Sequence, residues 1–160
     1  MRQRIGLGYD LHTFGRKKGP IVLAGVEIDH PKALEGHSDA DAVAHAVADA
    51  MLGATAMGDI GRLFPDTDER WKDANSMQLL AEVRRRIVAA GYELINVDIT
   101  VITEEPKIAP HADAMRENLA RILGLHTNSV SVKAKTNEGV DDVGSGKALQ
   151  VFAIASVGGA

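Results

Sequence analysis

The chain has 160 residues, 45% apolar and 25% charged, with a net charge of −4 and no cysteine, an ordinary make-up for one soluble globular domain over 1–160. The missing cysteines exclude disulfides, thiolate nucleophiles and thiolate metal ligands, and the negative balance, with Arg84-Arg85-Arg86 only a short basic run, argues against a nucleic-acid partner. No stretch approaches the roughly 20 apolar residues that span a bilayer, and the apolar run behind Met1-Arg2-Gln3-Arg4 meets Asp10 too soon for a secretory signal, so a soluble, cytoplasmic protein without membrane contact is expected.

The first predicted element is a strand over about 3–10. Alternate strand residues share a face, so Ile5, Leu7 and Tyr9 point one way and Gly6, Gly8, Asp10 and His12 the other. A carboxylate and an imidazole two apart at a strand end can chelate one ion, and the two glycines leave room for something to lie against the backbone. Taken alone, Asp-x-His is more often a solvated strand end than a metal site. After a Gly15-to-Pro20 turn, Ile21 to Ile28 reads as a second, shorter strand. Ser38 reads as an N-cap with Asp41 at the capping-box position, leading an Ala-rich helix to Gly53 or Met57. Its apolar stripe is Ala40, Val43, Ala44, Val47, Met51 and Ala54. Asp41, His45 and Asp49 recur every four residues on one face. His45 is the third candidate metal ligand, and Asp41 or Asp49 is expected to accept its outer ring N–H. His37 and Ser38 precede the helix start, where free backbone N–H groups attract anions such as phosphate.

The loop from Gly58 to Asp68 is dense in turn formers and carboxylates, of the kind that wraps polyol hydroxyls. A helix over about 75–90 carries Leu79, Leu80, Val83, Ile87 and Val88 and stops at Gly91. A strand from Leu94 to Thr103 leads through Glu105 to Pro110, a usual place for ligand contacts in layered folds, into a helix over about 108–123 stopped by Gly124. Ser129 to Lys135 and Ala148 to Val157 are strands around a Gly-rich loop, and Lys135-Thr136-Asn137-Glu138 ends the first of them with a hydroxyl, an amide and a carboxylate. Strands alternating with helices imply an α/β, layered architecture. The pieces suit phosphoryl transfer without a nucleophilic Ser or Cys, although a metal-dependent phosphodiesterase and a nucleotide-binding regulator with structural zinc use similar parts.

Gly8-Tyr9-Asp10-Leu11-His12, His37-Ser38-Asp39-Ala40-Asp41 with His45, Gly58 to Asp68, Pro106-Lys107 with Pro110-His111, and Val132 to Glu138 follow one another in a familiar order and spacing. Over about residues 4–138 the chain closely resembles the 2-C-methyl-D-erythritol 2,4-cyclodiphosphate synthases of the non-mevalonate isoprenoid pathway. The resemblance implies a mixed β-sheet covered by helices on one side, with the sheets of a homotrimer packed around its axis. It implies metal-assisted attack of a 2-phosphate on the β-phosphorus of a cytidyl diphosphate substrate, releasing CMP. Asp10, His12 and His45 would then hold Zn²⁺, Glu138 would help hold Mg²⁺ or Mn²⁺, and His37 and Thr136 would stabilise the transition state. Asp10, His12, His37, Ser38, Asp59, Ile60, Gly61, Phe64, Pro65, Asp66, Thr67 and Asp68 would bind the methylerythritol half. Thr103, Pro106, Lys107, Ile108, Ala109, Lys135, Thr136, Asn137 and Glu138 would bind the CMP half from a neighbouring subunit. Bacterial cytoplasm is the implied location, ahead of plastid stroma.

Past Glu138 the chain departs from the family pattern. Asp142, Ser145 and Lys147 stand where Phe, Arg and Glu are usual. In the family those side chains line the cavity on the trimer axis, and the changes weaken both apolar lining and phosphate pairing for an isoprenoid diphosphate.

Overall fold

Two glycines decide how the sheet meets its central helix. In the computed structural model, which describes residues 2–65, 67–71 and 74–159, strand β1 spans Arg2–Thr13 and helix α1 spans Ala42–Thr55. A Cβ on Gly8 would overlap the Ala46 carbonyl oxygen and the Ala50 amide, and one on Gly6 would overlap the Ala50 carbonyl and the Ala54 amide. The helix backbone therefore rests directly on the strand backbone. What lies against the glycine face is the protein's own helix.

The rest of the sheet extends from this contact. Strands β4 (Tyr92–Ile102), β5 (Val130–Lys135) and β6 (Ala148–Gly159) complete the order β1-β6-β4-β5. β6 is antiparallel to β1 and β4, and β4 is parallel to β5, so β1, β4 and β5 all end at the same edge. Helices α1, α3 (Ser76–Ala89) and α4 (Ala112–Leu123) lie on one face. The core between them holds Val97, Ile99 and Val101 from β4, Leu149, Val151 and Ala153 from β6, and almost every side chain of α1. The mixed sheet with helices on one side agrees with the expected class.

Among the described residues, the opposite sheet face carries no helix. Ile5 and Leu7 are 71% and 65% exposed, and Tyr9, Leu11, Phe152 and Ile154 continue the apolar surface. Toward β5 the same face turns polar, with Lys133 paired to Asp98 at 2.5 Å. Large apolar side chains outside and glycines inside invert the usual pattern of a one-sided sheet.

Three expectations need correction. The segment from Ile21 to Ile28 is a hairpin, β2 (Ile21–Leu23) and β3 (Val26–Ile28), because Ala24 and Gly25 take φ of +50° and +71°, the two-residue geometry that reverses a strand. Short helices α2 (Ile60–Leu63) and α5 (Asp141–Gly144) occupy stretches read as loop. The N-cap of α1 is Asp41, whose carboxylate accepts from Ala44 N at 3.0 Å and from the Ala24 and Gly25 amides at 2.8 Å each.

Asp41 is fully buried, and burial pushes its carboxyl up to about 6 while the three amides oppose that rise. One carboxylate thus holds a hairpin turn against a helix start. Asp41→Ala is expected to lower stability by about 3 kcal/mol, the sum of a lost N-cap and two buried amides left unpaired. Urea denaturation would check this, and a loss under about 1 kcal/mol would show the strut to be dispensable. Among the described residues, no helix is long and apolar enough to cross a membrane.

Candidate metal centre and adjoining cavity

β1 continues past the glycines and delivers Asp10 and His12 to the sheet edge, where α1 brings in His45. Asp10 Oδ1 accepts from the Leu11 amide at 3.0 Å, which turns Oδ2 toward the two rings. His12 Nε2 lies 2.9 Å from Asp10 Oδ2, and His45 Nδ1 lies 3.0 Å from the same oxygen. The three ligand atoms form one group able to hold a metal ion. The outer ring nitrogens explain why. His12 Nδ1 sits 2.6 Å from the Glu35 carbonyl oxygen, an acceptor only, so that nitrogen carries the proton. His45 Nε2 sits 2.9 Å from the Ser76 hydroxyl oxygen. A ring that donates outward through these nitrogens presents its inner lone pair to the carboxylate oxygen. Three acceptors facing one point repel unless a proton or a cation lies between them, and the set of two nitrogens and one oxygen suits a zinc-like ion with an open position.

Electrostatics support this. Burial pushes the Asp10 carboxyl up, but its close contacts with the His12 and His45 rings outweigh it and bring it down to about 2. Burial works to lower the His12 ring, and the Asp10 carboxylate overrides it, leaving its pKa raised. Asp10 is ionised across the physiological range, and because a ligating imidazole must be deprotonated, metal binding competes with protonation of His12.

The expected outer acceptors for His45 are not those present. Asp41 is committed to the β2–β3 turn and to α1. Asp49 accepts from Ile60 N at 2.7 Å and so ties α2 to α1. The i, i+4 spacing put both carboxylates on one helical stripe, but α1 is surrounded by protein and each carboxylate meets a different backbone. Ser76, from the start of α3, takes the place instead.

A cavity of about 600 Å³ opens beside the cluster. Of the residues singled out in the sequence, it is lined by His12, His37, Ser38, His45, Ile60, Gly61, Phe64, Pro65 and Asp68. Asp59 caps α2 by accepting from Arg62 N. Thr67 is exposed, and Asp66 lies outside the described residues. Glu69, Trp71 and Leu79 also line the cavity, with Trp71 edge-on to Phe64 at 4.7 Å between ring centres. Sequence reading missed these three, and the lone tryptophan beside a polar loop was the available signal. Gly36 lets the loop cross His12, since a Cβ there would sit 3.1 Å from the imidazole.

The second group of predicted residues lies elsewhere on the same edge. Glu104 Oε1 accepts from Asn137 N at 3.1 Å, and Thr103 N donates to the Lys135 carbonyl at 3.1 Å, joining the ends of β4 and β5. Thr136, Glu138, Lys107 and Ala109 are exposed there, and Pro106 is half-buried. Thr103 and Ile108 are buried, which leaves their backbones as the groups able to meet a ligand. Register places His12 opposite Leu149 and Ile102 opposite Gln150, with Ile102 paired to Lys135. The metal cluster and the Lys135 end therefore lie at one level of the sheet, three strand spacings apart, or roughly 14 Å. None of the residues 103–109 or 135–138 lines the cavity.

Residues 3–158 match the model of the YgbB family. A 2-C-methyl-D-erythritol 2,4-cyclodiphosphate synthase from Alkaliphilus metalliredigens is 49% identical over 157 residues, covering 97% of each chain. Among solved structures, the bifunctional IspDF of Campylobacter jejuni superposes with a TM-score of 0.92 at 40% identity, covering 98% of this chain and 42% of that one. The CDP complex of IspF from Plasmodium falciparum gives 0.86 at 34% identity, covering 98% and 96%.

Proposed function

The chain belongs to the YgbB family, and from that premise we propose that it converts 4-diphosphocytidyl-2-C-methyl-D-erythritol 2-phosphate to 2-C-methyl-D-erythritol 2,4-cyclodiphosphate and CMP. It is a metal-binding, lyase-type enzyme of isoprenoid-precursor biosynthesis. The observation that carries the finer reading is the convergence of Asp10, His12 and His45 at the rim of the cavity lined by His37 and Ser38.

The attacking 2-phosphate is already an anion, so the chain needs no strong base, and its task is to bring anions together. When bound, Zn²⁺ on Asp10, His12 and His45 and Mg²⁺ or Mn²⁺ beside Glu138 would supply the charge neutralisation that phosphoryl transfer requires. His37 and Ser38 hold the methylerythritol phosphate at the cavity mouth, with Ile60, Gly61, Phe64, Pro65 and Asp68 forming its wall. Thr103 to Ala109 and Lys135 to Glu138 receive the cytidine half, and Thr136 with His37 stabilises the crowded phosphorus. A complex of a 34%-identical relative with CDP supports the cytidyl assignment.

The two halves cannot act on one diphosphate within a single subunit across roughly 14 Å. A homotrimer, in which the loops at the β4 and β5 ends face a neighbour's metal cluster, supplies both halves at once. The exposed apolar face of Ile5, Leu7, Tyr9, Phe152 and Ile154 is the surface such an assembly would bury. We place the enzyme in the cytoplasm.

³¹P NMR of the purified protein with substrate, zinc and magnesium tests this. CMP together with a coupled cyclic diphosphate pair, lost on chelation, is the expected result. A linear phosphate product would mark a hydrolase, and bound substrate without turnover a regulator. In the same assay Glu138→Ala is expected to retain zinc yet lose most turnover. Full activity would remove Glu138 from the site.

A further inference from the structure

His45 meets more than the metal position. Its Nε2 faces Ser76 Oγ at 2.9 Å, and the Ser76 hydroxyl donates in a short hydrogen bond to Asp39 Oδ1. Asp39 Oδ2 accepts from the Ser76 amide at 3.2 Å, so the carboxylate grips both donors of one residue. Ser76 is 1% exposed, which leaves water no ready access to replace these bonds.

We propose that Asp39 and Ser76 are positioning residues that set the tautomer and the orientation of the His45 ring for metal binding. An ionised carboxylate only accepts, so the Ser76 hydroxyl proton is committed to Asp39. The hydroxyl oxygen then has only lone pairs to offer His45, which favours a proton on Nε2 once a metal occupies the Nδ1 side. That leaves Nδ1 bare, aimed at the point it shares with Asp10 Oδ2 and His12 Nε2. Ser38 Oγ also lies near Nε2, at 3.3 Å, but the bond is longer and no carboxylate fixes its proton. Asp39 and Ser76 thus do for His45 what the Glu35 carbonyl does for His12, with a side-chain pair instead of backbone. The pair is also mechanical: it ties the loop before α1 to the first residue of α3, so displacement of α3 would turn the ring.

This inference rests on His45 being a metal ligand, and the test separates the two. Zn²⁺ affinity is measured by chelator competition for the full chain, for Ser76→Ala and for Asp39→Asn, alongside Co²⁺ absorption spectra and melting in excess chelator. Outer partners of metal-bound histidines are generally worth about 10- to 100-fold in affinity, so a loss in that range is expected for Ser76→Ala, with a smaller loss for Asp39→Asn. The Co²⁺ bands should shift in both. Melting of the chelator-treated variants should stay close to that of the unaltered chain. Unchanged Zn²⁺ affinity in both variants, with or without a lower melting temperature, would overturn the proposal and leave the pair a purely structural tie. If Ser76→Ala does not fold, Asp39→Asn decides alone by the same reading. An unaltered chain that fails to bind Zn²⁺ would instead overturn the metal centre itself.

Discussion

Replacing His45 with alanine is expected to strip the metal site and to cut turnover by roughly a thousandfold. The magnitude follows from the charges that must meet. Two unit charges about 4 Å apart repel by about 4 kcal/mol at an effective dielectric near 20, and each 1.4 kcal/mol of barrier is about tenfold in rate. With His45 gone, one nitrogen and one carboxylate oxygen remain, too few for a tetrahedral ion to be retained against buffer. The fold should survive, because α1 is capped by Asp41 and buried by its alanines and valines, while His45 is only partly covered. Metal stoichiometry by mass spectrometry and initial rates, each with melting in chelator as control, would check it. Unchanged zinc content in His45→Ala would refute the ligand assignment.

Gly8→Ala should be the most damaging single methyl in the molecule. The new Cβ would fall on the Ala46 carbonyl oxygen and the Ala50 amide, and these are helix backbone, with no side chain to swing aside. Overpacking against movable side chains costs about 1–3 kcal/mol. Here α1 itself must lift from β1 and β6, so a loss above about 3 kcal/mol is expected, equivalent to roughly 10 °C in melting temperature for a domain of this size. Gly53→Ala is the matched control. A Cβ there would lie 4.0 Å from Gly6 Cα and from the Leu7 carbonyl oxygen, and helix propensity favours alanine by about 0.5–1 kcal/mol. It should be neutral or stabilising. A Gly8→Ala chain melting within about 2 °C of the original would show that β1 and α1 separate easily.

Much of this was legible in the chain. Alternation over Arg4 to His12 assigned Gly6, Gly8, Asp10 and His12 to one face, and the structure keeps that division. The 3.6-residue periodicity located α1 and α3 to within a few residues, and Gly124 stops α4 with φ of +67° as expected. The types and spacing of Asp10, His12 and His45 identified the metal group. These features are local or rest on residue chemistry, and both are written in order along the chain.

The misses share a cause. Ala24 has no intrinsic reason to take a left-handed turn, yet the Asp41 carboxylate, 17 residues on, holds its amide there. Asp41 and Asp49 lie on the His45 stripe but are drawn to other backbones, while Ser76, 31 residues from His45, becomes its partner.

By itself the sequence determined the strand and helix periods, the trio able to hold a metal ion and the family. Tertiary structure alone decided that a helix fills the glycine face, that Ile5 and Leu7 remain outside, and that Asp39 and Ser76 close on His45. The reason is physical. Periodicity reports which residues share a face of their own element, whereas partners across dozens of residues are chosen by how close two backbones can pack and by which buried donor would otherwise be left unpaired.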